Sequence, residues 1–195
     1  MQYENARDYI LHRLKTELAP HLTYHCFDHT MDVFESAIFI AGQYNLDAES
    51  LVLLKTAALY HDSGFLEVYG GHEAKGCELA RKKLPEFDYS EFQIERICQM
   101  IMATQIPQAP QDLCGEILCD ADLDYLGRDD FKSIGDTLFA EFLDQGIVQN
   151  EEGWNRLQIG FLSNHRYHTR YAQAHRQPVK KVHLDQLEVL VATYS

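Results

Sequence analysis

Three short segments hold residues that can do acid–base or metal chemistry. The most compact is the adjacent pair His61–Asp62. Ten histidines and fifteen aspartates in 195 residues produce about one such pair by chance, so the dipeptide alone carries little information. Its position carries more. It follows the nearly uncharged run Leu51–Tyr60 and precedes a glycine-bearing loop, so two polar side chains sit where an apolar helix ends. Burying an imidazole and a carboxylate there costs several kcal/mol unless each has a partner. A metal ion is one such partner; a solvated helix cap is the simpler alternative, and the pair by itself favours the cap.

The second segment is Tyr24-His25-Cys26-Phe27-Asp28-His29-Thr30. Two histidines four residues apart share a helical face and can hold one ion. No glutamate follows His25 as it does in the His-Glu-x-x-His helices of metalloproteases, and His25 falls before the helix begins. One ligand plus one acid or base lining the site is the better reading. The third segment, Cys119-Asp120-Ala121-Asp122-Leu123-Asp124-Tyr125, crowds three carboxylates that repel one another unless a cation or water lies between them.

The elements that must position these residues are helical almost throughout. Ala6, Ile10, Leu14 and Leu18 mark a first amphipathic helix ended by Pro20. A second runs from about Asp28 to Gln43, and Asp47 caps a third that continues to Tyr60. Gly64, Gly70 and Gly71 mark a loop, followed by a helix from His72 to Leu84 that stops at Pro85. Ser90 begins the next, and Gln105–Gln111 is a loop. Helices then cover Asp112–Leu126, Asp129–Gln145 and Asn150–Ser163, with a last helical stretch from Thr169 broken at Pro178. Strand-like alternation is absent. The fold class read from this pattern is all-α, one domain over residues 1–195, with no repeat or linker and with the motifs at about 20–130.

Composition narrows the functions. A net charge of −13 repels phosphate backbones and anionic lipid, so bulk nucleic-acid binding and membrane-surface binding are not expected. No apolar run approaches the roughly 18–20 residues that span a bilayer. Met1–Pro20 lacks the basic-then-apolar order of a secretory signal. Five cysteines without a Cys-x-x-Cys pair read as reduced thiols, several in the core, which together with the missing signal points to the cytoplasm.

The order of these segments resembles the HD superfamily of metal-dependent phosphohydrolases. His29 is followed about thirty residues on by His61–Asp62, and about sixty residues later by Ala121–Asp122. Leu54–His61 is similar to the apolar helix leading into that family's His-Asp pair, and His72-Glu73 with Ala74, Leu79 and Ala80 to the helix after it. Tyr24-His25 before His29 resembles a stretch of cyclic-nucleotide phosphodiesterases and of bacterial HD proteins. The run Phe161-Leu162, His165-Arg166-Tyr167 and Thr169, with Lys180 downstream, resembles a subgroup of the latter.

The resemblance implies an HD-type helical bundle with additional C-terminal helices. It implies metal ligands at His29, His61, Asp62 and Asp122; Asp120 competes for the last place, and the Asp-Leu continuation favours Asp122. Two imidazoles and two carboxylates leave open positions on one divalent ion such as Mn²⁺, Fe²⁺, Co²⁺, Ni²⁺ or Mg²⁺. His72 is the only histidine between His61 and His165, which argues against a second ion. Asp62 can accept a proton from water, His25 can protonate a leaving alkoxide, and His72 with Glu73 either faces the substrate or starts a helix. Arg166 and Lys180 are the candidates for neutralising a substrate phosphate. The expected activity is hydrolysis of a small phosphate ester, with nucleotides as one class. The competing expectations are a non-catalytic module that binds metal and nucleotide, and a di-iron oxygenase, which needs more histidines near the pair than the sequence holds.

Overall fold

The computed structural model describes residues 1–194, and these gather into two compact units. The first is Met1–Ala19 with His25–Asp122; the second is Pro20–Tyr24 with the chain from Leu123 onward. The described residues are all-α, without a strand.

In the first unit the helices are α1 (Tyr3–Glu17), α2 (Phe27–Ala41), α3 (Ala48–Tyr60), α4 (His72–Lys83), α5 (Glu91–Ala103) and α6 (Leu113–Asp122). α3 is the central one, flanked by all five others. It is apolar on every side rather than striped, which is the pattern of a helix buried all round. Leu53, Leu54, Ala57, Ala58, Leu59 and Tyr60 are all buried. Its start is fixed by Asp47, whose carboxylate accepts the Ser50 backbone N–H at 2.8 Å. Two of its buried hydroxyls are partnered: Thr56 shares a 2.8 Å bond with the Tyr89 hydroxyl, and the Tyr60 hydroxyl donates to the Ala6 carbonyl. A buried helix therefore carries His61 as the residue that ends it. α5 begins with a reciprocal capping box between Ser90 and Gln93.

The turn after α3 is short because of one glycine. Ser63–Leu66 form a single 3-10 turn, and a Cβ on Gly64 would sit 1.9 Å from the His72 carbonyl oxygen. Only a residue without a side chain lets this turn lie against the start of α4. Gly64→Ala is expected to displace the His72 backbone and to cost about 2–3 kcal/mol, as overpacking against main chain does. Urea unfolding measures it; an unchanged midpoint would mean that the turn simply moves aside.

The second unit contains α7 (Phe131–Asp144), α8 (Glu151–Asn164), α9 (Arg170–His175) and α10 (Gln177–Val191). Its core joins Tyr24, Leu123, Tyr125, Leu126, Phe131, Leu162, Tyr167 and Ala172. The segment Pro20–Tyr24 is tied in by the Tyr24 N–H, which donates to the buried Glu141 carboxylate at 2.9 Å.

Two helix boundaries differ from the sequence reading. The helix expected to reach Leu126 stops at Asp122, and Asp124–Gly127 form a separate 3-10 turn. The cause lies in the second unit: the Tyr167 hydroxyl donates to the Leu123 carbonyl, and Arg176 donates twice to the Asp124 carboxylate at 2.7 and 3.1 Å. These bonds outweigh the local helical preference. The final break falls at Arg176 rather than Pro178, which lies in the first turn of α10, where its missing N–H costs nothing. Among the described residues no helix is long and apolar enough to cross a membrane.

Candidate metal centre

Three helix ends of the first unit meet at one point. His29 is the third residue of α2, His61 ends α3, and Asp122 is the last residue of α6. Asp62 follows His61 directly. The His61 Nδ1 lies 2.8 Å from the Ala58 carbonyl oxygen, so Nδ1 carries the proton and donates it, and Nε2 is turned to the cluster.

The four side chains close on one another through few atoms. Asp62 Oδ2 is 3.1 Å from His61 Nε2 and 3.3 Å from His29 Nε2. Asp122 Oδ1 is 3.3 Å from His29 Nε2 and 3.5 Å from His61 Nε2. Ligands held at about 2.1 Å on neighbouring octahedral positions lie about 3 Å apart, so these separations suit donors sharing one divalent ion. One atom each from His29, His61 and Asp122 falls within 4.8 Å of the others, a cluster that can hold a metal. His61 Nε2 and Asp62 Oδ2 are buried and make no hydrogen bond, which an interior rarely tolerates without an ion or proton between them.

The electrostatics say the same in another way. Burial pulls the His29 imidazole down, but the Asp122 and Asp62 carboxylates more than offset it and raise its pKa to about 9. His61 is raised well above its ordinary 6.5 against the same desolvation, chiefly by Asp62. In return the carboxylates are depressed against their own burial: Asp122 to about 2 by His29 and His61, and Asp62 well below 3.8 by His61, His29 and His72. Without a metal the centre is neutral only because two imidazolium protons balance two carboxylates.

The other candidates fall into two places. His72 Nε2 is 3.4 Å from Asp62 Oδ1 and 3.5 Å from Glu73 Oε1, and its Nδ1 is 3.3 Å from the Tyr69 carbonyl oxygen. The half-buried His25 ring stacks on Phe65 at 4.2 Å, and Phe65 stacks on His72 at 4.0 Å. His25 and His29 meet edge-on at 6.0 Å. Asp120 is fully buried in α6, and the carboxylate facing both imidazoles is that of Asp122. Arg166 and Lys180 belong to the second unit. The Arg166 guanidinium donates to the Ser163 and His165 carbonyls. Lys180 is buried, donates to the His165 carbonyl at 2.6 Å, and lies 3.1 Å from His165 Nδ1. Burial first, and the Arg166 charge second, lower its pKa to about 8.

Sequence reasoning missed Phe65 as the ring joining His25 to His72, and no spacing rule points to it. It also missed what Gly64 and Gly76 do. A Cβ on Gly76 would lie 3.1 Å from the Tyr60 carbonyl oxygen and 3.4 Å from that of His61, so α4 rests directly on the turn bearing the pair. A glycine two residues after Asp62 was the available signal.

Comparison with known proteins gives the family and the fold. The HD domain family model matches residues 26–124, which include all four converging residues. Three solved structures share the fold, each at 19% identity. One is a predicted HD superfamily hydrolase from an uncultured Thermotogales bacterium (TM-score 0.63, covering 98% of this chain and 92% of that one). Another is Bacillus subtilis YpgQ in complex with ADP (TM-score 0.64, covering 96% of each). The third is a Lactobacillus plantarum protein (TM-score 0.66, covering 97% and 98%). No curated protein sequence matches the chain. With a family match over half the chain, in a span that includes the His-Asp pair ending a buried helix, the protein belongs to the HD domain family.

Proposed function

We propose that the chain hydrolyses a small phosphate ester, with nucleotides as the leading class, using one divalent ion held by His29, His61, Asp62 and Asp122. The observation that carries this reading is the convergence of two imidazole nitrogens and two carboxylate oxygens at 3.1–3.5 Å. A divalent ion bound there lowers the pKa of water and polarises a phosphoryl oxygen. The bound ADP of the Bacillus subtilis relative supports a nucleotide as the ester.

The chain's own residues supply orientation and proton handling. The Ala58 carbonyl holds the His61 ring so that only Nε2 is presented. Asp62 works on two sides: Oδ2 faces His29 and His61, while Oδ1 faces His72. Both nitrogens of His72 face acceptors, so its ring is built to hold a proton and pass it to a phosphate oxygen or take it from Asp62. His25, stacked on Phe65, protonates the leaving alkoxide.

The test is metal analysis of the freshly purified chain, then a panel of phosphomonoesters, diesters and nucleotides assayed with the metal found. About one ion per chain and turnover of at least one phosphate ester are expected. Metal-loaded protein inert across the panel would sink the hydrolase reading and leave a binding module.

A further inference from the structure

α4 and α5 lie side by side, and each contributes one buried cysteine to their seam. Cys77 Sγ is 3.5 Å from the Cys98 carbonyl oxygen, and Cys98 Sγ is 3.7 Å from the Cys77 carbonyl oxygen. Each sulfur thus lies against the other residue's backbone, so the two side chains face one another across the seam. The remaining cysteines lie elsewhere: Cys119 donates to the Ala103 carbonyl, Cys114 is buried on α6, and Cys26 is half-buried. A single core cysteine is an inert small hydrophobe, but two that face one another across a helix seam can be joined.

We propose that Cys77 and Cys98 are a peroxide-responsive pair that closes into a disulfide and staples α4 to α5. Their exposures of 1% and 2% exclude bulky disulfide oxidants and leave small ones such as hydrogen peroxide. Each S–H is directed at the other residue's carbonyl, and the neighbouring Cys77 thiol, with Arg81 as a lesser influence, holds the Cys98 thiol below its ordinary range against its burial. With Cys98 as the attacking sulfur, its thiolate attacks a peroxide oxygen. The O–O bond breaks, the departing hydroxide takes the Cys98 proton to form water, and Cys98 becomes a sulfenic acid. The Cys77 sulfur then attacks that sulfur. The S–O bond breaks, and hydroxide leaves with the Cys77 proton as a second water. Two thiols have lost two electrons and one peroxide has gained them.

The bridge has a route to the metal centre. Cys77 follows Gly76, the residue whose backbone rests on the Tyr60 and His61 carbonyls, and α4 opens with His72 against Asp62. Drawing the sulfurs to bonding distance shifts that seam. This consequence rests on the proposed metal role of the centre; the bridge itself does not.

The experiment treats the Ni²⁺-loaded full chain with a small excess of hydrogen peroxide and follows intact mass, a peptide map and metal affinity on the same samples. Expected are the loss of two hydrogens, a Cys77–Cys98 linked peptide, an affinity lowered about tenfold, and reversal by dithiothreitol. Cys98→Ala and Cys77→Ala abolish the linked peptide, with circular dichroism verifying that each is folded, while Cys119→Ala retains it. Oxygen addition at Cys26 with Cys77 and Cys98 untouched overturns the pair. A bridge formed with unchanged metal affinity overturns the coupling to the centre. Neither readout depends on whether the chain hydrolyses phosphate esters.

Discussion

Replacing Asp62 by asparagine is expected to weaken metal binding about 100-fold or more and to lower phosphate-ester turnover about 1000-fold or more. The size of the effect follows from what this carboxylate touches. Its Oδ2 lies 3.3 Å from His29 Nε2 and 3.1 Å from His61 Nε2, while its Oδ1 is 3.4 Å from His72. An amide of the same shape removes one negative charge from the ion and turns a donor toward either His61 Nε2 or His72. Asp62→Asn keeps the volume, so the turn against Gly64 and α4 need not rearrange, and helical content should be unchanged. Metal content measured by equilibrium dialysis, beside the activity panel, separates the two readings of the site. In a hydrolase, turnover stays low even at metal concentrations that fill the variant. In a binding module there is no turnover to lose, and only affinity changes. Asp62→Asn with wild-type activity at saturating metal would falsify the role given to this residue. His72→Asn should fall between: metal held nearly as tightly, turnover lowered about 10- to 100-fold through loss of its proton.

The parts of this architecture that sequence could reveal are those decided locally. α3 was readable as a buried helix because its residues are apolar on every side, and Asp47 and Ser90 announce their caps within three residues. The end of α6 was not, because its determinants come from afar. Tyr167 reaches Leu123 from 44 residues away and Arg176 reaches Asp124 from 52, and no window centred on Asp122 contains either. The same division runs through the site. His29, His61, Asp62 and Asp122 stood out by order and resemblance, and the structure brings their side chains together. Phe65 did not, because an apolar residue in a glycine-rich loop looks like any other until its ring is seen between two histidines. Lys180 shows the converse. A lysine near the C-terminus reads as solvated surface, yet its ammonium is buried against the His165 carbonyl.

Metal binding near neutral pH is expected to release about two protons per ion, and apparent affinity to fall about 100-fold for each pH unit below 8. Both imidazoles of the metal-free centre titrate above their ordinary 6.5, His29 at about 9 and His61 also well above it, so at pH 7 an entering cation meets two imidazolium groups. It must displace both protons before Nε2 lone pairs are offered. For stability without metal the sign is opposite. A histidine whose folded-state pKa is raised stabilises fully below its unfolded value of 6.5 and loses that contribution as pH rises through about 9. Asp122, depressed to about 2, stabilises above its unfolded 3.8 and loses its contribution as pH falls through about 2. The metal-stripped centre therefore contributes most between about pH 4 and 6.5, where the loaded centre is weakest. Calorimetric titration in buffers of different ionisation heat counts the protons, and thermal unfolding of the stripped and loaded chain from pH 5 to 9 should show the two stability curves diverging as pH rises. Release of no protons at pH 7 would mean that the imidazoles are already neutral in the metal-free centre, and that the Asp62 and Asp122 carboxylates do not hold them protonated.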